Sequence, residues 1–192
     1  VFFVSLDNMA GLYFHIPFCK RVCAYCDFYK SVDLRRMDPL LESMHRELDA
    51  RREYLGGEPV RTRYFGGGTP SWYGEKRLCE LLRLLQKKFK IAKDIEVTVE
   101  ANPDSVTEKA LRAVRRAGVN RLSLGMQSAC DQELQDVHRP HTFQQVVEAV
   151  HAARKAKIKN LNLDLIYGLP GQTEESWHNS VEQAIALGPE HL

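Results

Sequence analysis

Three cysteines lie close together in a spacing that suits a metal centre. Cys19, Cys23 and Cys26 form a C-x3-C-x2-C run, directly after an apolar stretch at 11–16 that is typical of a buried strand. Thiolates bind iron–sulfur clusters, and a fully protein-ligated [4Fe–4S] cluster uses four cysteines. Three cysteines leave one iron open to a chelating ligand. We therefore predict an open [4Fe–4S] cluster on this run.

The alternative is that these cysteines bind a zinc ion, with His15 or a more distant histidine as the fourth ligand. His15 lies inside an alternating strand, where neighbouring side chains point to opposite faces, so its ring is poorly placed to reach. Structural zinc sites usually pair two cysteine knuckles, and the sequence has no second pair. The cluster is therefore favoured, and Cys79 and Cys130 are interpreted as ordinary thiols in the fold.

Consecutive glycines close the next strand-like stretch, residues 60–65. Gly66, Gly67 and Gly68 let the backbone approach a ligand closely and expose N–H donors. A plain turn would read the same way. Because the glycines follow the cysteine run by one strand, a ligand site is a second interpretation of them.

Polar side chains lie at or near the carboxyl ends of the later strands. Glu100 ends one strand, Gln127 follows the next, and Asp164 lies in a third. A lone buried acid is costly, so Asp164 is expected to have a specific partner. Arg139 could bind a carboxylate through two parallel hydrogen bonds. The histidines that flank it could bind a metal or haem but are interpreted as ordinary polar residues.

Strand and helix periods alternate along the whole chain. This alternation predicts parallel strands with right-handed crossovers, as a barrel or a doubly wound sheet, and either fold places its chemistry at the carboxyl ends of strands. The predicted strands are 11–16, 60–65, 95–100, 121–125 and 161–166; the predicted helices are 40–48, 78–89, 110–117, 130–136, 143–156 and 173–187.

The domain organisation follows from length and from the two ends. The 192 residues suit one domain. We assign residues 1–10 to an N-terminal extension, of which 1–8 lie upstream of a natural start at Met9, and residues 11–192 to the core domain. Residues 188–192 look like the approach to another strand. We therefore expect a truncated chain whose C-terminal region is absent.

Composition excludes some classes of protein. A net charge of +2 gives no argument for nucleic acid. No apolar stretch approaches the roughly 20 residues of a membrane-spanning helix. Five cysteines with no export signal favour a reducing compartment and predict a cytoplasmic protein.

The motifs together resemble one family, the oxygen-independent coproporphyrinogen III oxidases of the radical S-adenosylmethionine (SAM) superfamily. The resemblance implies a partial (β/α) TIM-type barrel and a cluster on Cys19, Cys23 and Cys26 whose reduced form cleaves SAM to a 5′-deoxyadenosyl radical. It also implies SAM contacts from residues 13–164. The motifs are Tyr13 with His15-Ile16-Pro17-Phe18-Cys19, Gly66-Gly67-Gly68-Thr69-Pro70, Glu100-Ala101-Asn102-Pro103, Leu124-Gly125-Met126-Gln127-Ser128, Arg139 and Asp164-Leu165-Ile166-Tyr167-Gly168-Leu169-Pro170. The implied SAM contacts are Tyr13, Gly67, Gly68, Thr69, Glu100, Gln127, Arg139 and Asp164, with Tyr25 contributing main chain.

Phe28 separates two branches of this family. True coproporphyrinogen dehydrogenases carry a further cysteine at the position that Phe28 occupies here. The Cys26-Asp27-Phe28 form is similar to the haem chaperone branch, which implies haem as cargo, respiratory haemoproteins as partners and an electron donor for the cluster. The alternative is an oxidoreductase that decarboxylates coproporphyrinogen III.

Overall fold

The computed structural model describes residues 1–6 and 9–192, and its centre is one six-stranded sheet. The strands lie side by side in chain order. β1 pairs with β2 in antiparallel fashion, whereas β2 to β6 are all parallel. The strands are β1 (Phe2–Leu6), β2 (Met9–Ile16), β3 (Val60–Gly67), β4 (Ile91–Ala101), β5 (Arg121–Gln127) and β6 (Asn160–Leu165).

Helices fill the connections between the parallel strands. Their starts follow local chemistry: Thr107, Thr142 and Thr173 each accept a backbone N–H in the first turn of the helix that follows. The helices are α1 (Met37–Ala50), α2 (Pro70–Tyr73), α3 (Glu75–Lys88), α4 (Glu108–Arg116), α5 (Asp131–Asp136), α6 (Phe143–Lys155) and α7 (Glu174–Ala186), with 3₁₀ turns at Leu34–Arg36 and Pro103–Ser105.

The strand order decides between the two folds that the alternation allowed. A doubly wound sheet reverses its strand order at a switch point, but β2 to β6 follow one another without reversal. This is the order of a (β/α) barrel, and five parallel strands are fewer than the eight of a closed one. The predicted partial (β/α) TIM-type barrel is confirmed.

The two faces of the sheet differ in chemistry. One face is apolar and packs with the helices into the hydrophobic core, for example through Phe14, Phe65 and Leu163. The alternate positions of the same strands are polar, as at Ser123 and Asp164. The polar face is therefore left free to build a site.

The ends of the chain add two observations. The sequence did not predict β1, whose residues fall in the assigned extension and extend the sheet beyond β2. Residues 7 and 8 lie outside the described residues, and the start at Met9 stays a prediction. At the other end, His191 forms a parallel bridge with Asn162 of β6; the approach to another strand stays a prediction.

Candidate functional site

The cysteine loop is fixed at both of its ends. The Cys19 N–H donates to the Ser31 carbonyl at 3.0 Å, and the Ser31 N–H donates to the Pro17 carbonyl at 2.7 Å. In the middle, the Ala24 N–H donates to the Val137 carbonyl at 3.1 Å. The loop is thus tied to the segment after α5, which carries Arg139.

The three thiols occupy one environment. Cys19 and Cys23 are buried, and Cys26 is half-buried. Burial raises the pKa of the Cys19 thiol; the Thr69 hydrogen bond works the other way, and the nearby Cys26 and Cys23 thiols add to the rise. All five cysteines of the chain are free thiols.

His15 is not available as a fourth ligand for zinc. Both ring nitrogens of His15 have other partners: Nε2 lies 3.0 Å from the Tyr29 carbonyl and Nδ1 lies 3.3 Å from the Tyr13 hydroxyl.

A cavity of about 160 Å³ opens beside the cysteine loop, at the carboxyl ends of the parallel strands. It brings together eight of the twelve residues predicted from the sequence. Its lining is Tyr25, Cys26, Phe28, Gly67, Gly68, Glu100, Ala101, Asn102, Ser123, Gly125, Gln127, Arg139 and Asp164.

Glu100 presents a carboxylate to this cavity from the end of β4. It accepts hydrogen bonds from the Tyr64 hydroxyl at 2.7 Å and from the Gly67 N–H at 3.0 Å. Burial nevertheless raises its pKa, because these two donors only partly offset the lost hydration, and the charge of Asp164 adds to the rise. The two acids therefore share one electrostatic environment.

Asp164 has the specific partners that its position in β6 required. It accepts from the Ser123 hydroxyl at 3.1 Å and from the Asn162 side-chain amide at 2.6 Å. Burial raises its pKa in spite of them. A desolvated pair of carboxylates at a cavity is suited to a cationic ligand.

The structure gives the glycine segment, Gly66 to Gly68, a packing role rather than the exposed N–H donors of the ligand-site interpretation. Its N–H groups are not free for a ligand: Gly67 donates to Glu100, and Gly68 donates to the Ile16 carbonyl at 2.8 Å. Glycine is required here by close packing, because a Cβ at Gly68 would lie 2.6 Å from the Pro17 backbone. Gly67 also has a φ of 113°.

Gln127 reaches the cavity through a distorted strand end. The β5–β6 register shifts between Gly125 and Gln127, and Gln127 has a φ of 67°. A non-glycine residue in this left-handed region is strained, and such residues concentrate at functional sites. The strain turns the side chain of Gln127 into the cavity lining.

Arg139 joins the cavity to the cysteine loop. Its Nη2 donates to the Asn102 side-chain oxygen at 2.9 Å and to the Gly125 carbonyl at 2.7 Å. Its Nη1 donates to Cys23 Sγ at 3.8 Å and to the Tyr25 hydroxyl at 3.3 Å. Its Nε is buried with no partner among the described residues.

The remaining predicted residues lie next to the cavity or behind it. Thr69 is buried and contacts Cys19 rather than the cavity. Tyr13 stacks on Tyr64 with ring centroids 5.8 Å apart, so it stands behind the residue that holds Glu100. Asn102 and Ser123 were not predicted as site residues. The signal for Ser123 was available, since polar residues alternate with buried apolar ones in β5.

The radical SAM superfamily model matches residues 13–184. The chain belongs to the radical SAM superfamily. Members of this superfamily use SAM and a [4Fe–4S] cluster, so the open cluster predicted from the cysteine run agrees with the family.

Curated relatives of this radical SAM chain are similar to it over nearly its whole length. It is 36% identical over 185 residues to the heme chaperone HemW of Bacillus subtilis, covering 95% of this chain and 49% of that protein. It is 38% identical over 186 residues to HemW of Mycobacterium tuberculosis, covering 95% and 48%. For HemW of Escherichia coli the identity is 37% over 184 residues, with 95% and 49% covered. The chain spans about half the length of these relatives.

Solved structures agree on the fold. The radical SAM enzyme coproporphyrinogen III oxidase (HemN) of Escherichia coli superposes with a TM-score of 0.87 at 31% identity, over 94% of this chain and 42% of that one. Methylornithine synthase (PylB) gives 0.68 at 15% identity, over 96% and 54%, which shows the fold alone. The predicted resemblance to the coproporphyrinogen oxidase-like family is confirmed.

No helix of the described residues is long and apolar enough to cross a membrane.

Proposed function

We propose that this chain is the SAM- and cluster-binding part of a haem chaperone. In this proposal Cys19, Cys23 and Cys26 hold a [4Fe–4S] cluster, and SAM occupies the adjoining cavity. One observation supports this proposal above all: Cys26, Arg139 and two desolvated carboxylates line the same cavity.

The residues of the cavity fit the charges of SAM. SAM carries a sulfonium, an ammonium and a carboxylate group. Glu100 and Asp164 offer anionic partners for the cationic groups, and the guanidinium of Arg139 offers a partner for the carboxylate. When bound, SAM and the reduced cluster supply one-electron chemistry. The proposed contacts are completed by Gly67, Gly68, Gln127 and Tyr25, which line the cavity. Thr69 and Tyr13 lie next to the cavity and behind it.

The haem part of the proposal is supported by the relatives and by Phe28. The similar HemW proteins are heme chaperones. Phe28 stands where a dehydrogenase has a cysteine, and its side chain is 69% exposed beside the cavity. Haem as cargo, respiratory haemoproteins as recipients and an electron donor are parts of this proposal. So is a cytoplasmic location, which the five free thiols support.

Cluster binding is tested by anaerobic reconstitution of the chain. The wild type should bind about four irons and four sulfides. A variant with all three loop cysteines changed to serine should bind none, whereas Cys79→Ser, outside the loop, should bind as much as wild type. A colourless wild type that retains zinc would overturn the cluster proposal.

The haem chaperone proposal is tested on the full-length protein that contains this chain. It should bind haem stably and should not convert coproporphyrinogen III to protoporphyrinogen IX. The second candidate, the dehydrogenase, is favoured by the close superposition on HemN. Turnover of coproporphyrinogen III would establish it and defeat the chaperone proposal.

A further inference from the structure

Two of the loop cysteines accept hydrogen bonds at sulfur from side chains of other segments of the chain. The Thr69 hydroxyl lies 3.7 Å from Cys19 Sγ, and Arg139 Nη1 lies 3.8 Å from Cys23 Sγ. Both contacts are buried. Thr69 follows β3 and Arg139 follows α5, so the two donors reach the loop independently.

Asn102 links these two donors. Its side-chain Nδ2 donates to Thr69 Oγ1 at 3.3 Å, and its Oδ1 accepts from Arg139 Nη2 at 2.9 Å. The orientation of the amide is dictated by chemistry, because Arg139 has no acceptor and would repel the NH₂ group. The Thr69 hydroxyl accepts from Asn102, so its own proton is left to point at Cys19.

The backbone holds Asn102 in this place. Pro103 follows it and restricts it to an extended conformation, with φ −95° and ψ 143°. Its N–H donates to the Ser71 hydroxyl at 3.2 Å. The Gly125 carbonyl fixes the other side of the Arg139 guanidinium. These backbone contacts therefore fix the position of the network.

We propose that Asn102 is a positioning residue that aims Thr69 and Arg139 at the ligating sulfurs and so raises the reduction potential of the cluster. Hydrogen bonds to the sulfurs are one of the features that set the potential of iron–sulfur clusters. A donor stabilises the more negative, reduced cluster and makes reduction easier. The proposal rests on the cluster part of the proposed function.

The test is the midpoint potential of the reconstituted cluster, titrated without SAM and followed by electron paramagnetic resonance. Thr69→Val keeps the shape of the side chain but removes the donor, and Asn102→Leu removes the link. Both should shift the potential to more negative values. Thr69→Ser keeps the hydroxyl and should stay at the wild-type potential.

The double variant gives the sharper result. If Asn102 acts through Thr69, adding Thr69→Val to Asn102→Leu should shift the potential by less than the sum of the two single shifts. Unchanged potentials in Thr69→Val and Asn102→Leu, with full iron and sulfide content, would overturn this inference while leaving the proposed function intact. A wild type that assembles no cluster would overturn both.

Discussion

The desolvated carboxylate of Asp164 destabilises the fold when it is ionised, and a cationic ligand would offset this effect. Burial raises the pKa of Asp164 above its ordinary value, so the folded chain holds a proton there more tightly than the unfolded chain does. The resulting stabilisation is present below the unfolded pKa and is lost as the pH rises through the folded pKa. At neutral pH the ionised group therefore opposes folding.

Asp164→Asn should therefore make the ligand-free chain more stable at pH 7. The hydroxyl of Ser123 can reverse its hydrogen bond to accept from the new amide. The gain in the free energy of unfolding, measured by urea denaturation, should shrink as the pH falls towards 4. SAM affinity of the reconstituted chain should fall by roughly tenfold or more, because a bond to a charged group is lost. A less stable variant at pH 7 would mean that the hydrogen bonds of the carboxylate outweigh its desolvation.

His141 makes the opposite contribution. Burial, helped by the charge of Arg139, lowers its pKa to about 4, and its Nε2 lies 3.2 Å from the Met126 carbonyl. Its stabilisation is present above the unfolded pKa and is lost as the pH falls through the folded pKa. It must therefore take up a proton as the chain unfolds between pH 6.5 and 4.

His141→Phe should flatten the loss of unfolding free energy between pH 6.5 and 4, measured by denaturation at several pH values. Its absolute stability is expected to be lower, because Met126 loses its partner. The matched control is His151→Phe, at an exposed position of α6. Equal flattening in the control would contradict the assignment to His141.

At the scale of elements, one buried acid ties α7 to the end of β5. Glu133 of α5 accepts from the hydroxyls of Ser128 at 2.6 Å and Ser176 at 2.5 Å, and from the Gln172 amide at 3.1 Å. Burial acts to raise its pKa, but the three donors outweigh burial and the pKa lies below its usual value. The segment between β6 and α7 is thereby fixed to α5.

Glu133→Gln should loosen the segment between β6 and α7. The new amide has one oxygen to accept hydrogen bonds, whereas the carboxylate has two. We expect the free energy of unfolding to fall by about 1–3 kcal/mol. Hydrogen exchange should become faster at residues 168–176 and stay unchanged in α1. The control is Glu148→Gln on the exposed side of α6. Uniformly faster exchange throughout the chain would indicate a general loss of stability instead.

The sequence predicted most elements because their apolar periods are regular. The stripe from Leu78 to Leu85 predicted α3, and Thr173 predicted the start of α7. It did not predict β1, because that strand depends on pairing with β2, which leaves no periodic trace in so short a segment. Nor did it predict that Arg63 lies buried on the apolar face of β3. The site residues at strand ends were predictable, but Asn102 was not, since its role depends on contacts with two distant residues.

At the scale of the whole molecule, the site spans the sheet from β2 to β6. Any ligand that binds only this assembled site should stabilise the whole fold. With SAM at about 100 times its dissociation constant, the gain is about 2.7 kcal/mol, which for a chain of this size raises the melting temperature by roughly 5–10 °C. Anaerobic calorimetry of the reconstituted chain with and without SAM measures this. A shift of the same size in Asp164→Asn would place SAM elsewhere.

The ribosome synthesises the strands in the same order in which they lie in the sheet. The cysteine loop leaves the ribosome early, whereas Arg139, after α5, and Asp164, in β6, follow more than 100 residues later. During that interval the three thiols have neither their buried surroundings nor the donors that Asn102 positions. Iron and sulfide delivered to the nascent loop would meet water and oxygen. We therefore expect stable cluster insertion only after translation has passed β6.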